Sequence, residues 1–282
     1  MPSSISKMFR MRKIFWVLLA ATVVEPDFSQ AVNFRKDPVP EAAPSATATS
    51  PTPVSTQLPS SAIEGDKAFQ DRKNSESAKR ALELYRAAYK EEPKNPETGW
   101  RVAMACYFVG NRFVSDEKEK EKLFNEGQIA GKRASEINPK CAPCHFWTAI
   151  TMALYGETVG VFKMIFSLDE IQNRLKKVIE LEPTYAGSGA YRLLGTIQWK
   201  LPGVLGGSDS KAKANLEKAI ETSPTETLNY LFLARLLRQE FEQPEQALAI
   251  AKKGLEVPLT KLDRLESFEA IEDLKKFVAS QP

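Results

Sequence analysis

The chain has 282 residues, enough for one large domain or two small ones and too many for a disulfide-stapled miniprotein. With 43% hydrophobic and 27% charged residues it has the balance of a chain that folds around an apolar core, not of a membrane bundle. The formal charge of +3 shrinks further, because residues 1–31 carry four cations (Lys7, Arg10, Arg12, Lys13) against two anions (Glu25, Asp27) and leave the remainder at +1. So neutral a chain has no electrostatic reason to seek a phosphate backbone. Its single histidine, His145, excludes multi-histidine metal sites and leaves a Ser-His-Asp triad only one candidate base.

The basic residues at the start precede an eleven-residue apolar run, Ile14–Val24. A membrane-spanning helix needs about 20 such residues, so the run fits the core of a secretory signal instead. Ser29-Gln30-Ala31 then offers small residues for cleavage before Val32. Residues 1–31 are therefore expected to be a signal peptide and the mature chain periplasmic; the alternative is an uncleaved anchor in the inner membrane. No cysteine follows the run to accept a lipid. From Asp37 to Ser61, nineteen of 25 residues are Pro, Ser, Thr or Ala, too little apolar surface to offset the entropy of ordering, so residues 32–61 are expected to be a disordered linker.

Helices follow. Ala78, Ala81, Leu82, Tyr85, Ala88 and Tyr89 form a stripe at helical period, and Glu92-Pro93 ends it because proline cannot continue a helix interior. The same ending recurs at Pro139, Pro183, Pro224 and Pro258, at intervals of 46, 44, 41 and 34 residues. The last interval is the length of a tetratricopeptide repeat, and the longer ones match that unit with longer loops. Shifting by 46 lays Ala103, Met104, Tyr107 and Gly110 over Ala149, Ile150, Ala153 and Gly156. One helix pair cannot bury its own apolar face, whereas stacked pairs share a core. The expected fold is all-α: a right-handed α-solenoid of about five tetratricopeptide-like helix pairs over residues 62–258. Residues 259–282 are expected to form a solvating C-terminal capping helix.

Several blocks resemble the T component of tripartite ATP-independent periplasmic (TRAP) transporters: His145-Phe146-Trp147, Leu181-Glu182-Pro183-Thr184-Tyr185, and Tyr191-Arg192-Leu193-Leu194-Gly195 running into Gly206-Gly207-Ser208. The resemblance covers roughly residues 63–258. It implies a periplasmic, all-helical partner of a transporter's solute-binding subunit, associating as a trimer and able to hold a lipophilic ligand. The chain departs from the many lipoprotein members of that family in lacking the lipid-accepting cysteine.

Cys141-Ala142-Pro143-Cys144-His145 matches the attachment motif of c-type haem. An open solenoid offers no deep apolar pocket for the ring, and a local disulfide between Cys141 and Cys144 is the favoured reading in an oxidising compartment. Cys106, on an apolar stripe, reads as a buried free thiol. The Gly203–Ser208 segment lacks the Lys-Ser/Thr of a phosphate loop and reads as a helix break at Pro202 followed by Ser208 or Asp209 as N-cap. No residue is expected to be catalytic, to bind a metal or to hold a cofactor. Aromatics concentrate in the two central repeats, and His145, Trp147, Tyr185, Tyr191 and Trp199 are the candidates for a binding face on the concave side.

The function these features imply is a non-enzymatic exported scaffold that binds a protein partner. An envelope-assembly scaffold unrelated to transport is one alternative, and a haem or thiol redox protein built on Cys141, Cys144 and His145 another. Circular dichroism of the chain should be dominated by helix, and proteases should cut within residues 37–61. A sheet-dominated spectrum, or a resistant 37–61 segment, would overturn this organisation.

Overall fold

The structure, a computed structural model, describes residues 58–259 and 265–280. The expected signal peptide and residues 32–57 of the expected linker lie outside the described residues. Ser60 and Ser61, assigned to the linker, already belong to the first helix.

Eleven α-helices and no strand are present among the described residues. They are α1 (Ser60–Gln70), α2 (Ser75–Glu91), α3 (Pro96–Arg112), α4 (Glu117–Ile137), α5 (Ala142–Val159), α6 (Val161–Leu181), α7 (Tyr185–Lys200), α8 (Asp209–Thr222), α9 (Thr227–Glu240), α10 (Pro244–Leu255) and α11 (Leu265–Ala279). Each helix packs on the next, giving five antiparallel pairs and a terminal helix; α3 also packs on α5, and α9 on α11. The fold is an α-solenoid.

The recurring prolines set the joints between pairs. Glu92, Asn138, Glu182 and Ser223 each precede a proline, and all four lie at φ between −154° and −126° with ψ between 71° and 90°. The proline ring excludes its predecessor from the helical region, so the helix stops there. A tight turn then closes, with the amides of Asn95, Cys141, Tyr185 and Glu226 donating to the carbonyls of Glu92, Asn138, Glu182 and Ser223 at 3.0–3.2 Å. Three of the residues that close the turn, Asn95, Cys141 and Glu226, are the N-caps of α3, α5 and α9. One local device thus ends a pair and starts the next.

Three large core clusters run along the solenoid, with a small fourth at Ala134, Cys141 and Cys144. The first joins α2, α3 and the start of α4 around Leu82, Tyr85 and Phe108. The second joins α5, α6 and α7 around Phe146, Ile171 and Leu194. The third joins α8 to α11 around Leu216, Leu231 and Leu274. Small residues let the layers meet: a Cβ on Gly131 of α4 would stand 2.3 Å from Thr148 Oγ1 of α5. The break after α7 follows the sequence reading, with Gly206 at φ 89° and Ser208 capping α8 by accepting from the Lys211 amide.

The terminal helix does more than cover the last pair. It packs on α9 and α10 and leaves Phe268, Glu272, Lys275 and Lys276 exposed, while another face of its first turns is covered. Leu265 reaches the N-terminal core cluster, and Glu266 pairs with Arg72, which follows α1, at 3.0 Å. Glu269 forms a two-point pair with Arg112 of α3, one of whose bonds is 2.7 Å. Thr227 Oγ1 donates to the Ser267 carbonyl and Ser267 Oγ to Glu226, both buried, which docks α11 on the start of α9. Glu266 and Glu269 therefore belong to a second interface of α11, apart from its solvent-facing charges.

Gly131→Val should lower stability by about 1–3 kcal/mol through overpacking against Thr148. Gly203→Ala, where a Cβ meets nothing within 4 Å, should leave urea denaturation midpoints unchanged.

Candidate functional site

The first helices of the pairs face inward, and with α11 they line a concave groove of about 620 Å³. Its walls draw on α3, α5, α7, α9 and α11, with Phe69 of α1 and the adjoining Arg72 and Lys73 at one end. Two kinds of surface meet in it.

One is aromatic. The rings of Tyr107 and Trp147 lie 5.5 Å apart, and Phe146 meets Trp147 and Tyr185 edge-on at 5.1 and 5.2 Å. The indole N–H of Trp147 donates to the Tyr185 hydroxyl at 2.9 Å, which satisfies its polar edge and fixes the ring. Burial pushes the Tyr107 phenol up to about 12.

The other is charged, with arginines paired to carboxylates of α11. Two guanidinium groups approach the Phe108 ring, Arg72 at 5.5 Å and Arg112 at 4.7 Å from its centroid, and Arg72 also covers Phe69 at 5.0 Å. Burial works against the charge on Arg112, but its bonds and attraction to Glu269 outweigh that and raise its pKa. Arg192, at the floor, donates to Asn229 at 2.6 Å and to the Gly187 carbonyl at 3.1 Å.

Arg192 and Asn229 hold an unusual piece of backbone. Ala186, Gly187 and Ser188, opening α7, all lie in the left-handed region at φ 52°, 64° and 57°. For the two non-glycine residues this costs on the order of 1–3 kcal/mol each. Asn229, fully buried, adds a bond to the Gly187 carbonyl at 3.2 Å, and the Ser188 and Ser223 hydroxyls meet at 2.7 Å. Strain of this kind persists only where surroundings over-determine it, and here Ala186 and Arg192 both line the groove.

The five candidate binding residues do not converge. Trp147 lines the groove, and Tyr185 supports it from behind. Trp199 is core: 3% exposed, it packs in the C-terminal cluster and donates to Glu240 at 3.0 Å. Tyr191 is half-buried outside the groove, within electrostatic range of Lys218 on α8. His145 lies at the start of α5, its Nε2 donating to the Pro139 carbonyl at 2.9 Å. Burial lowers its pKa, the nearby Arg174 and Lys177 add to this, and the Pro139 bond opposes it. Arg72, Arg112 and Arg192 of the groove were not among the candidates. The spacing of Met104, Tyr107, Phe108 and Asn111 carried the missed signal, one helix face that α3 presents to the groove.

Cys141 and Cys144 are bonded to each other, the local disulfide favoured for this motif. Cys141 Sγ also accepts from the Cys144 amide at 3.1 Å, which makes the bridge a helix N-cap. One repeat earlier Asn95 and Thr98 hold the same positions: Asn95 Oδ1 accepts from the Glu97 amide, and Thr98 Oγ1 donates to the Glu92 carbonyl at 3.1 Å. Cys106 is a buried free thiol whose pKa burial raises.

Known proteins resemble the chain in two ways. Residues 64–200 match the family model "Regulator of microtubule dynamics protein 1-3", a different family from the TRAP T component. Regulator of microtubule dynamics protein 1 of Pongo abelii is 34% identical over 98 residues, 35% of this chain and 31% of that protein. The Homo sapiens protein of that name is 34% identical over 89 residues, 32% of this chain and 28% of that one. The chain thus spans about a third of the length of the curated relatives it matches. Among solved structures, a thermophilic TPR protein from Thermus thermophilus superposes with a TM-score of 0.53 at 20% identity, covering 75% of this chain and 97% of that one. That likeness makes the solenoid tetratricopeptide-like.

Cys141→Asn with Cys144→Thr, which copies the cap at Asn95 and Thr98, should keep stability within about 1 kcal/mol of the parent. Cys141→Ala with Cys144→Ala should lose about 1 kcal/mol more, since no cap acceptor remains. Denaturation under reducing and non-reducing conditions checks both.

Proposed function

We propose that the chain is a non-enzymatic scaffold that binds a segment of a protein partner along the groove. The observation that carries this reading is the combination of Trp147 and Tyr107 with Arg112 and Arg192 on one concave surface. Aromatic and arginine side chains held in fixed positions are the residues in which binding energy concentrates. A single histidine tied to a backbone carbonyl, and no nucleotide loop, leave little machinery for turnover.

Two readings of the partner differ in compartment. Export, supported by Ile14–Val24 and Ser29-Gln30-Ala31, goes with a transporter's solute-binding subunit and with the residue blocks that resemble a T component. A part in regulating microtubule dynamics is supported by the similarity over residues 64–200. Fractionation of cells producing the full chain, with N-terminal sequencing of the product, separates them: a periplasmic chain starting near Val32 favours the first.

For the groove itself, photo-crosslinking from position 147 in the full chain identifies the partner. Trp147→Ala and Tyr107→Ala should then weaken its binding by about 2 kcal/mol each, with helicity retained. Val204→Ser, on a loop residue 91% exposed and outside the groove, should have no effect. Full binding by folded groove variants, or a partner docked on the outer face, would overturn the reading.

A further inference from the structure

The groove's own charge distribution narrows what it accepts. Its lining from α1 to α9 includes Arg72, Lys73, Arg112 and Arg192 and no acidic residue among the described residues. Every carboxylate in the lining comes from α11: Glu266, Glu269 and Asp273. These lie at i, i+3 and i+7, one face of one helix. They meet Arg72, Arg112 and Arg235 in three ion pairs in which no side chain is more than 26% exposed. Beside that face, Ala270, Leu274 and Phe277 are buried in the C-terminal core cluster.

We propose that the groove is a docking site for an acidic amphipathic helix of a partner protein, and that α11, one wall of the groove, holds the facing arginines in cis until the partner binds. Arg72 and Arg112 stand on the wall where they meet carboxylates one helical turn apart, and the apolar rings beneath them (Phe69, Phe108) lower the local dielectric, so each pair is stronger than at an open surface. A helix of this pattern satisfies the same arginines α11 satisfies. Partner binding therefore exchanges one set of carboxylates for another and lifts the first turns of α11. This rests on the groove reading above and adds the chemistry of the occupant.

The probe is a fluorescein-labelled synthetic peptide with the sequence of Leu265–Ala279, titrated by anisotropy into the full chain. The full-chain variant Glu266→Gln, Glu269→Gln, Asp273→Asn, whose α11 keeps its apolar face, should bind the peptide about tenfold more tightly than the parent, because the resident helix holds less firmly. A peptide with the same three amides should bind about tenfold more weakly, and about 0.5 M salt should erase the difference between the two peptides. Should the triple variant fail to fold, hydrogen exchange on the parent chain decides: excess acidic peptide should raise exchange within residues 265–279 and the amide peptide should not. Equal binding of acidic and amide peptides, no binding of either to a folded variant, or α11 protected throughout would each overturn the proposal. If the peptides show no dependence on carboxylates while an identified partner is still lost with Trp147→Ala, the groove stands as the binding face and the acidic-helix chemistry falls.

Discussion

A pair of packed helices has two apolar faces and can cover only one of them with itself. Everything else in this molecule answers that constraint. Each pair hands its uncovered face to the next, so Leu82, Leu175 and Leu216 are buried through their neighbours and not through local folding. The stack must end somewhere, and α11 ends it by covering the last pair with Leu274 and Phe277. The proline turns matter because they fix the angle at which each hand-over happens: extended backbone before the ring, then a closed turn, then a capped helix.

Most of this fold was legible in the sequence because it is repeated and local. Helical period, proline endings and the alanines of the second helices are properties of neighbouring residues, and a turn that recurs at Pro93, Pro139, Pro183 and Pro224 announces itself as spacing. The Ser208 cap and the buried thiol of Cys106 were readable for the same reason, since each follows from a few adjacent residues. Where the pattern thins, the reading slips. The linker composition runs through Ser60 and Ser61, yet both are helical because Ala62 and Gly65 already have a core to join.

The groove was much less legible, for a physical reason. Its residues come together only through the curvature of the whole stack, which brings Arg72 to Glu266 across 194 positions of sequence. An arginine on a helix looks the same in sequence whether it faces water or a phenyl ring. Aromatic enrichment in the central repeats pointed to the right region but not to the right side chains. Trp147 turns inward to the groove, while Trp199, on the next first helix, turns into the core and seals it against Leu231 and its neighbours. The left-handed turn at Ala186–Ser188 was hidden as well. Only Gly187 among the three is suited to that conformation, and the fold imposes it on the other two through Arg192 and Asn229.

The contacts of α11 with the first two repeats change how such a stack can come apart. In an open repeat array each unit touches only its neighbours, so the ends fray independently and melting spreads inward unit by unit. Here Leu265, Glu266 and Glu269 join the last element to the first, which turns a line into a ring of contacts. Losing the outer turn of α1 removes support from the C-terminal repeat, and loosening α10 removes it from the N-terminal one. Unfolding therefore gains the all-or-none character of a compact domain, despite an architecture whose parts would otherwise melt in sequence.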